Sequence, residues 1–227
     1  MDSLSFGMGS PAAMTALMPS HFVALADAPK EWSDGFDTPL LRFLFLYDRA
    51  RTAEPFDHTA LVLATATPDG IPSARVVLLK AADEHGFLIV GNYESRKACE
   101  LAANPRAALC FYYPTLNEQC RVEGTVVKAS PEESDAYFAT RPRTSQLGAW
   151  ASTQSRFLST RQELLDRVEA FDQKYRDQDV PRPPHWGGLR IVPSAYEFWR
   201  DGAFRLHDRF RYECGPDGNW TVGRISP

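Results

Sequence analysis

The spacings that hold metals and drive hydrolysis are missing from this 227-residue chain. Its four cysteines, Cys99, Cys110, Cys120 and Cys214, form no CxxC pair. Its five histidines include no HExxH and no pair at ligand spacing, so neither a structural nor a catalytic metal is expected. No Gly-x-Ser-x-Gly elbow is present, which lowers serine-hydrolase readings. No strand leads into a GxGxxG turn, which argues against a dinucleotide site of the βαβ kind. No apolar run approaches the roughly eighteen residues of a membrane span, and the first thirty residues carry no Lys or Arg before Lys30, unlike a secretory leader. Positive charge is not in excess either. With 25 Lys and Arg against 29 Asp and Glu, the net charge of −4 draws the molecule toward neither nucleic acid nor anionic lipid. Any anion must therefore be held by a local cluster. Cysteines set among apolar neighbours, as in "AALCFYY", read as buried thiols of a cytoplasmic protein.

What is present is a balanced globular composition, 44% hydrophobic and 24% charged, with strand patterns dominating the middle and end. Residues 1–37 read as a mobile arm and 38–227 as one folded unit. Thr38 as N-cap and Pro39 at the first helical position open a helix running to Ala50. Strands are expected at Thr59–Thr67 and Ser73–Ala81, joined by Pro68-Asp69-Gly70, and a third at Gly86–Gly91 completes an antiparallel meander. A helix follows from Ser95 to Pro105, then strands in "RAALCFYYP" and "EQCRVEGTVVKAS". A further helix spans Ser130 to Pro142, and a long amphipathic one spans Gln154 to Arg176. "LRIVPSAYEFWRDG", "FRLHDRFRYECG" and "NWTVGRISP" read as closing strands. The class expected is α+β, an antiparallel barrel with peripheral helices rather than a doubly wound sheet.

Three clusters carry possible chemistry. Arg75 and Lys80 bracket an apolar strand, while Ser95, Arg96 and Lys97 form the first turn of a helix, whose free N–H groups and dipole favour a phosphate. A solvated cap with ordinary surface charges is the plainer reading of the same residues. Tyr137 and Arg141 share a helix face with Ser145 just beyond, a set suited to a second phosphate and equally to a stacked surface pair. In "FWRDGAFRLHDRF", strand alternation turns Arg205, His207 and Arg209 to one face near Trp199, where two guanidiniums would keep His207 neutral; such a face suits an electron-rich ring or an anion, and an exposed basic strand face is the alternative.

Taken in order, "RVVLLK", "NYESRKACELAANPR", "YFATRPRTSQLGAWAS", "WGGLRI", "EFWRDG", "RLHDRFRY" and the terminal "GRISP" resemble the pyridoxamine 5'-phosphate oxidase family from about Thr59 to Pro227. The resemblance implies an FMN-binding split β-barrel with the flavin at a homodimer interface. It assigns FMN to Arg75, Val76, Lys80, Val90, Gly91, Arg96, Lys97, Gln119, Gln154, Ser155, Trp199 and Arg209. It assigns the substrate phosphate to Lys80, Tyr137, Arg141 and Ser145, and the substrate ring to Arg205 and His207 as the catalytic pair, acting by position and charge. The implied reaction oxidises C4' of pyridoxine or pyridoxamine 5'-phosphate to pyridoxal 5'-phosphate while dioxygen becomes hydrogen peroxide. The chain departs from the family at its front, where residues 1–37 contain no Arg or Tyr, unlike the basic, tyrosine-containing arm common in members. A specialised oxidase of a secondary metabolite, of the phenazine-pathway type, and a non-catalytic flavin or pyridoxal-phosphate carrier are the competing readings.

Overall fold

A computed structural model describes residues 35–36 and 38–227. The expected arm, apart from Gly35 and Phe36, lies outside the described residues. The first helix, α1 (Pro39–Ala53), starts as the sequence indicates, with the Thr38 hydroxyl accepting from the Leu41 N–H at 3.2 Å. Phe43, Leu46, Tyr47 and Ala50 recur at helical spacing and are all buried. They meet the sheet through Phe43, whose ring centroid lies 4.8 Å from that of Phe87 and 4.9 Å from that of Phe111.

Among the described residues nine strands follow one antiparallel plan: β1 (Ala60–Ala66), β2 (Pro72–Leu78), β3 (Ala81–Asp83), β4 (Gly86–Asn92), β5 (Arg106–Tyr113), β6 (Glu118–Lys128), β7 (Trp186–Arg200), β8 (Asp208–Cys214) and β9 (Trp220–Arg224). The order is β2-β1-β5-β6-β7-β4-β3, with β8 and β9 leaving from β7. β7 organises the whole. One edge pairs with β6 from Leu189 to Arg200, while the other pairs first with β4 over Trp186–Ile191 and then with β8 over Ala195–Arg200. The sheet divides where those two partners change over. Pro193, which has no N–H to give a ladder, sits there opposite a register shift between Glu123 and Gly124.

The expected meander is corrected in its third strand. β1 and β2 form the predicted hairpin, but β4 joins β7 and β3 on the far side of the sheet. Phe87, Leu88 and Ile89 are consecutive and all buried, so β4 needs cover on both faces. β2, which has no fully buried residue, does not supply that cover.

The remaining helices are α2 (Arg96–Ala103), α3 (Pro131–Ala139), α4 (Arg143–Ala151) and α5 (Arg161–Lys174). The helix expected over Gln154–Arg176 is shorter than that. It begins only where the Thr160 hydroxyl caps the Glu163 N–H, and residues 152–160 run irregularly. α4 is unforeseen: Pro142, read as a stop for α3, also stands at the N-cap of the next helix, where its missing N–H costs nothing. The strand expected through Arg205 is corrected as well. Ala203–Arg205 form a 3-10 turn with Phe204 and Arg205 at φ 58° and 62°, and β8 starts only at Asp208.

Candidate active site

The predicted residues gather into three groups. The first lies where the β1–β2 hairpin meets α2. The Arg75 guanidinium donates to the Leu63 carbonyl (3.1 Å) and Thr65 Oγ1 (2.6 Å), bonds Ser73 Oγ, and reaches Glu100 Oε2 at 3.4 Å. Arg96 Nε donates to Glu100 Oε1 at 2.8 Å, and the Arg96 backbone N–H donates to Ser155 Oγ at 3.2 Å. Ser155 reaches that N–H from the irregular segment with φ 68°, which brings the exposed Gln154-Ser155 pair to the α2 N-terminus. Lys97 is buried, and its Nζ donates to Ser95 Oγ at 3.1 Å. Burial pushes its ammonium below the ordinary lysine range, and Arg75 adds to the fall. Gly91 makes room for it, since a Cβ there would stand 3.3 Å from Lys97 Nζ. Ser95 itself does not cap α2; its hydroxyl donates back to the Asn92 carbonyl at 2.7 Å.

The second group forms around Trp186 at the start of β7. Arg141 lies over the indole at 4.6 Å and over the Phe138 ring at 5.5 Å, and Tyr137 stacks on the same indole with centroids 6.2 Å apart. Lys80 Nζ stands 6.0 Å from the Tyr137 ring centre. Burial lowers the Lys80 ammonium, Asp57 opposing and Arg141 assisting; burial likewise raises the Tyr137 phenol and lowers Arg141. Arg141 Nη1 is buried without a hydrogen-bond partner. Ser145 follows on the first turn of α4, its N–H bonded to the Pro142 carbonyl at 2.8 Å. Val90 packs against the same aromatic cluster, so Val90 and Gly91 sit between the first group and the second.

The third group is a lateral row. Tyr112, Gln119, Trp199 and Arg209 are successive Cα partners across β5, β6, β7 and β8. Gln119 Oε1 accepts from Cys110 Sγ at 3.1 Å; Arg209 is held by Glu197 at 2.8 Å and by the Ser226 carbonyl at 2.7 Å. The His207 ring lies 4.7 Å from the Trp199 ring. The two guanidiniums expected to flank His207 are not arranged about it. Arg209 is turned to Glu197, Arg205 is exposed on the 3-10 turn, and His207 Nδ1 accepts from the Gly202 N–H (3.2 Å) and lies 3.0 Å from Asp201 Oδ1. Val76 is exposed on the β2 edge.

Among the described residues, no hydrogen bond or ring contact joins the third group to the second. Trp199 stands thirteen residues along β7 from Trp186, about 40 Å of strand contour. Sequence reasoning missed Glu100, Trp186, Glu197 and Asp201. Only Glu100 left a signal, four residues beyond Arg96 on one helix face.

A family profile described as "Pyridoxamine 5'-phosphate oxidase" matches residues 50–175, and one described as "Pyridoxine 5'-phosphate oxidase C-terminal dimerisation region" matches residues 186–227. The chain belongs to the pyridoxamine 5'-phosphate oxidase family. It is 53% identical over 189 residues to a pyridoxine/pyridoxamine 5'-phosphate oxidase of Myxococcus xanthus, covering 83% of this chain and 91% of that one. A protein of the same name from Gloeothece citriformis is 50% identical over 189 residues, covering 83% and 88%. The crystal structure of PhzG from Burkholderia lata, in complex with tetrahydrophenazine-1-carboxylic acid, superposes with a TM-score of 0.80 at 28% identity, over 93% of this chain and 100% of that one. A pyridoxamine 5'-phosphate oxidase-related, FMN-binding protein from Nostoc punctiforme shares the fold, with a TM-score of 0.67 at 17% identity over 84% and 98%. This member of the oxidase family is thus an oxidoreductase built on the FMN-binding split barrel, α+β as expected. Among its described residues, no helix is long and apolar enough to cross a membrane.

Proposed function

We propose that the chain is an FMN-dependent oxidase of pyridoxine and pyridoxamine 5'-phosphates, forming pyridoxal 5'-phosphate and working as a cytoplasmic homodimer whose folded unit is residues 38–227. The observation that carries the reading is a pair of separate cationic clusters, one around the buried Lys97 and one around the buried Nη1 of Arg141. Among the described residues Lys97 meets a serine and no carboxylate, and Arg141 Nη1 meets no acceptor at all. A buried ammonium and a buried guanidinium nitrogen that meet no acidic partner of their own suit arriving anions, here the phosphates of flavin and substrate.

Arg75, Arg96, Lys97 and Ser155 would hold the flavin phosphate at the α2 N-terminus. Val76, Lys80, Val90, Gly91, Gln119, Gln154, Trp199 and Arg209 would border the rest of the flavin. Bound FMN supplies a two-electron acceptor that dioxygen can reoxidise. Lys80, Tyr137, Arg141 and Ser145 hold the substrate phosphate, so the binding energy of a remote group aligns C4' for oxidation. Arg205 and His207 are the ring-side pair, orienting the pyridine, with the Arg205 guanidinium supplying positive charge. Pyridoxine 5'-phosphate and dioxygen then give pyridoxal 5'-phosphate and hydrogen peroxide; the amine substrate also consumes water and releases ammonia.

The length of β7 supports the homodimer. A substrate of a single ring and phosphate does not span the contour between Trp186 and Trp199, so on this reading the ring-side pair comes from a second copy. The dimerisation profile over 186–227 and the exposed β2 edge, with Val76, Leu78 and Ile71, agree with that arrangement.

The likeness to PhzG favours the metabolite-oxidase alternative on fold, while the phosphate-directed second group favours a phosphorylated substrate. Comparing turnover of pyridoxine 5'-phosphate with that of unphosphorylated pyridoxine tests the reading. A preference of at least a hundredfold in kcat/KM, of the order expected for a charge-assisted phosphate clasp, is the expected result; equal rates would overturn it. Anaerobic mixing that leaves the flavin absorbance unbleached would favour the non-catalytic carrier.

A further inference from the structure

At the centre of the first group lies an acid where anion binding alone would call for none. Glu100 is 6% exposed, yet its carboxylate sits among Arg75, Arg96 and, close by on α2, Lys97. Thr65 Oγ1 donates to Glu100 Oε2 at 2.5 Å and Ser73 Oγ at 2.6 Å. Both hydroxyls also accept from the Arg75 guanidinium. A hydroxyl has one proton, so giving it to Glu100 turns the oxygen lone pairs toward Arg75. The carboxylate thus fixes Arg75 through two relays, and it fixes Arg96 directly at Nε, leaving both terminal nitrogens of that guanidinium free to turn outward. Three cations and one carboxylate leave two net positive charges, the complement of a phosphate dianion.

We propose that Glu100 is a positioning residue for the phosphate of the cofactor, aiming Arg75 and Arg96 at it without touching it. The inference rests on the reading of the first group as the flavin phosphate site. It makes a prediction opposite in sign to simple electrostatics. Neutralising Glu100 raises the positive charge of the cluster and by Coulomb's law alone should tighten an anion; if the carboxylate is the positioner, binding weakens instead.

The test is titration of the full chain, stripped of flavin, with FMN and with riboflavin, following quenching of flavin fluorescence. For Glu100→Gln the expected result is an FMN Kd raised about tenfold, with the riboflavin Kd unchanged because riboflavin has no phosphate to position. An FMN Kd that stays level or falls overturns the proposal, as does an equal loss for both flavins, which marks general damage to the fold. Ser73→Ala removes a single relay and leaves the charge in place. It is expected to weaken FMN severalfold with riboflavin again unaffected, and it decides the matter by the same criteria should the Gln variant not fold. Wild-type protein that binds FMN no better than riboflavin would instead overturn the reading of the first group, a failure distinct from a normal wild type with an indifferent Glu100 variant.

Discussion

Arg141→Met is expected to leave the fold as stable as before while stripping the protein of its grip on a phosphorylated substrate. The guanidinium is partly buried, stacked at 4.6 Å over Trp186, with Nη1 unpartnered. An unsatisfied buried donor destabilises by about 1–3 kcal/mol, and stacking a cation on the indole returns about 1 kcal/mol. Methionine removes both terms and keeps an apolar contact with the ring, so the net change in stability should fall within about 1 kcal/mol, a Tm shift of no more than about 4 °C for a chain of this size. Binding tells a different story. Charge-assisted hydrogen bonds contribute about 1.5–3 kcal/mol each, so two lost contacts to a phosphate amount to about 3 kcal/mol and a KM raised by about a hundredfold. The assay is peroxide formation with pyridoxine 5'-phosphate and with pyridoxine, beside a thermal melt of the same preparation. The expected pattern is a large KM change confined to the phosphorylated substrate and a nearly unmoved melt. A melt lowered by more than about 8 °C, beyond what about 2 kcal/mol produces, would show that Arg141 is a structural residue; an unchanged KM would show that the second group does not hold the phosphate.

Other perturbations follow from packing and charge. Phe111 is fully buried between the Phe43 and Phe87 rings, so Phe111→Ala should lower unfolding free energy by about 3–5 kcal/mol in a urea titration. A Cβ on Gly124 would stand 2.2 Å from the Val192 carbonyl oxygen, a backbone atom that cannot step aside; Gly124→Ala should cost about 1–3 kcal/mol, seen as a lower Tm. Hydrogen bonds from Ser73 and Thr65 hold the Glu100 carboxyl down at about 2 against an ordinary 4.5. A folded value below the unfolded one means its stabilisation is complete above about pH 4.5 and is lost as pH falls toward 2. Circular dichroism should accordingly show wild type losing stability more steeply across that window than Glu100→Gln does.

Local chemistry was legible in the sequence wherever one residue decides an element. Thr38 and Pro39 announce α1, and Pro68-Asp69-Gly70 announces the first hairpin, because caps and turns depend on neighbours in the chain. The place of β4 was not legible, since which edge a strand joins depends on which of its faces find cover, a property of distant residues. Pro142 was read one way only, as an end, although the same fixed φ and absent N–H also suit a beginning. Alternation through Arg205, His207 and Arg209 failed because it presumes extended backbone, and two residues at positive φ remove the premise. The three groups of charged and aromatic side chains could be named from the ordered motifs. The spacing of Glu100 from Arg96 was readable, but its link to Arg75 was hidden, because its hydroxyl partners Thr65 and Ser73 face one another only through the hairpin register.

The reach of β7 ties activity to association. On the proposed dimer, each copy of this strand serves two reaction centres at once, offering Trp186 to one and Trp199 to the other. An isolated chain owns half of each centre and all of neither. Activity is then a property of concentration as well as of sequence, and a change at either end of the strand is felt in one centre while its opposite end still serves the other.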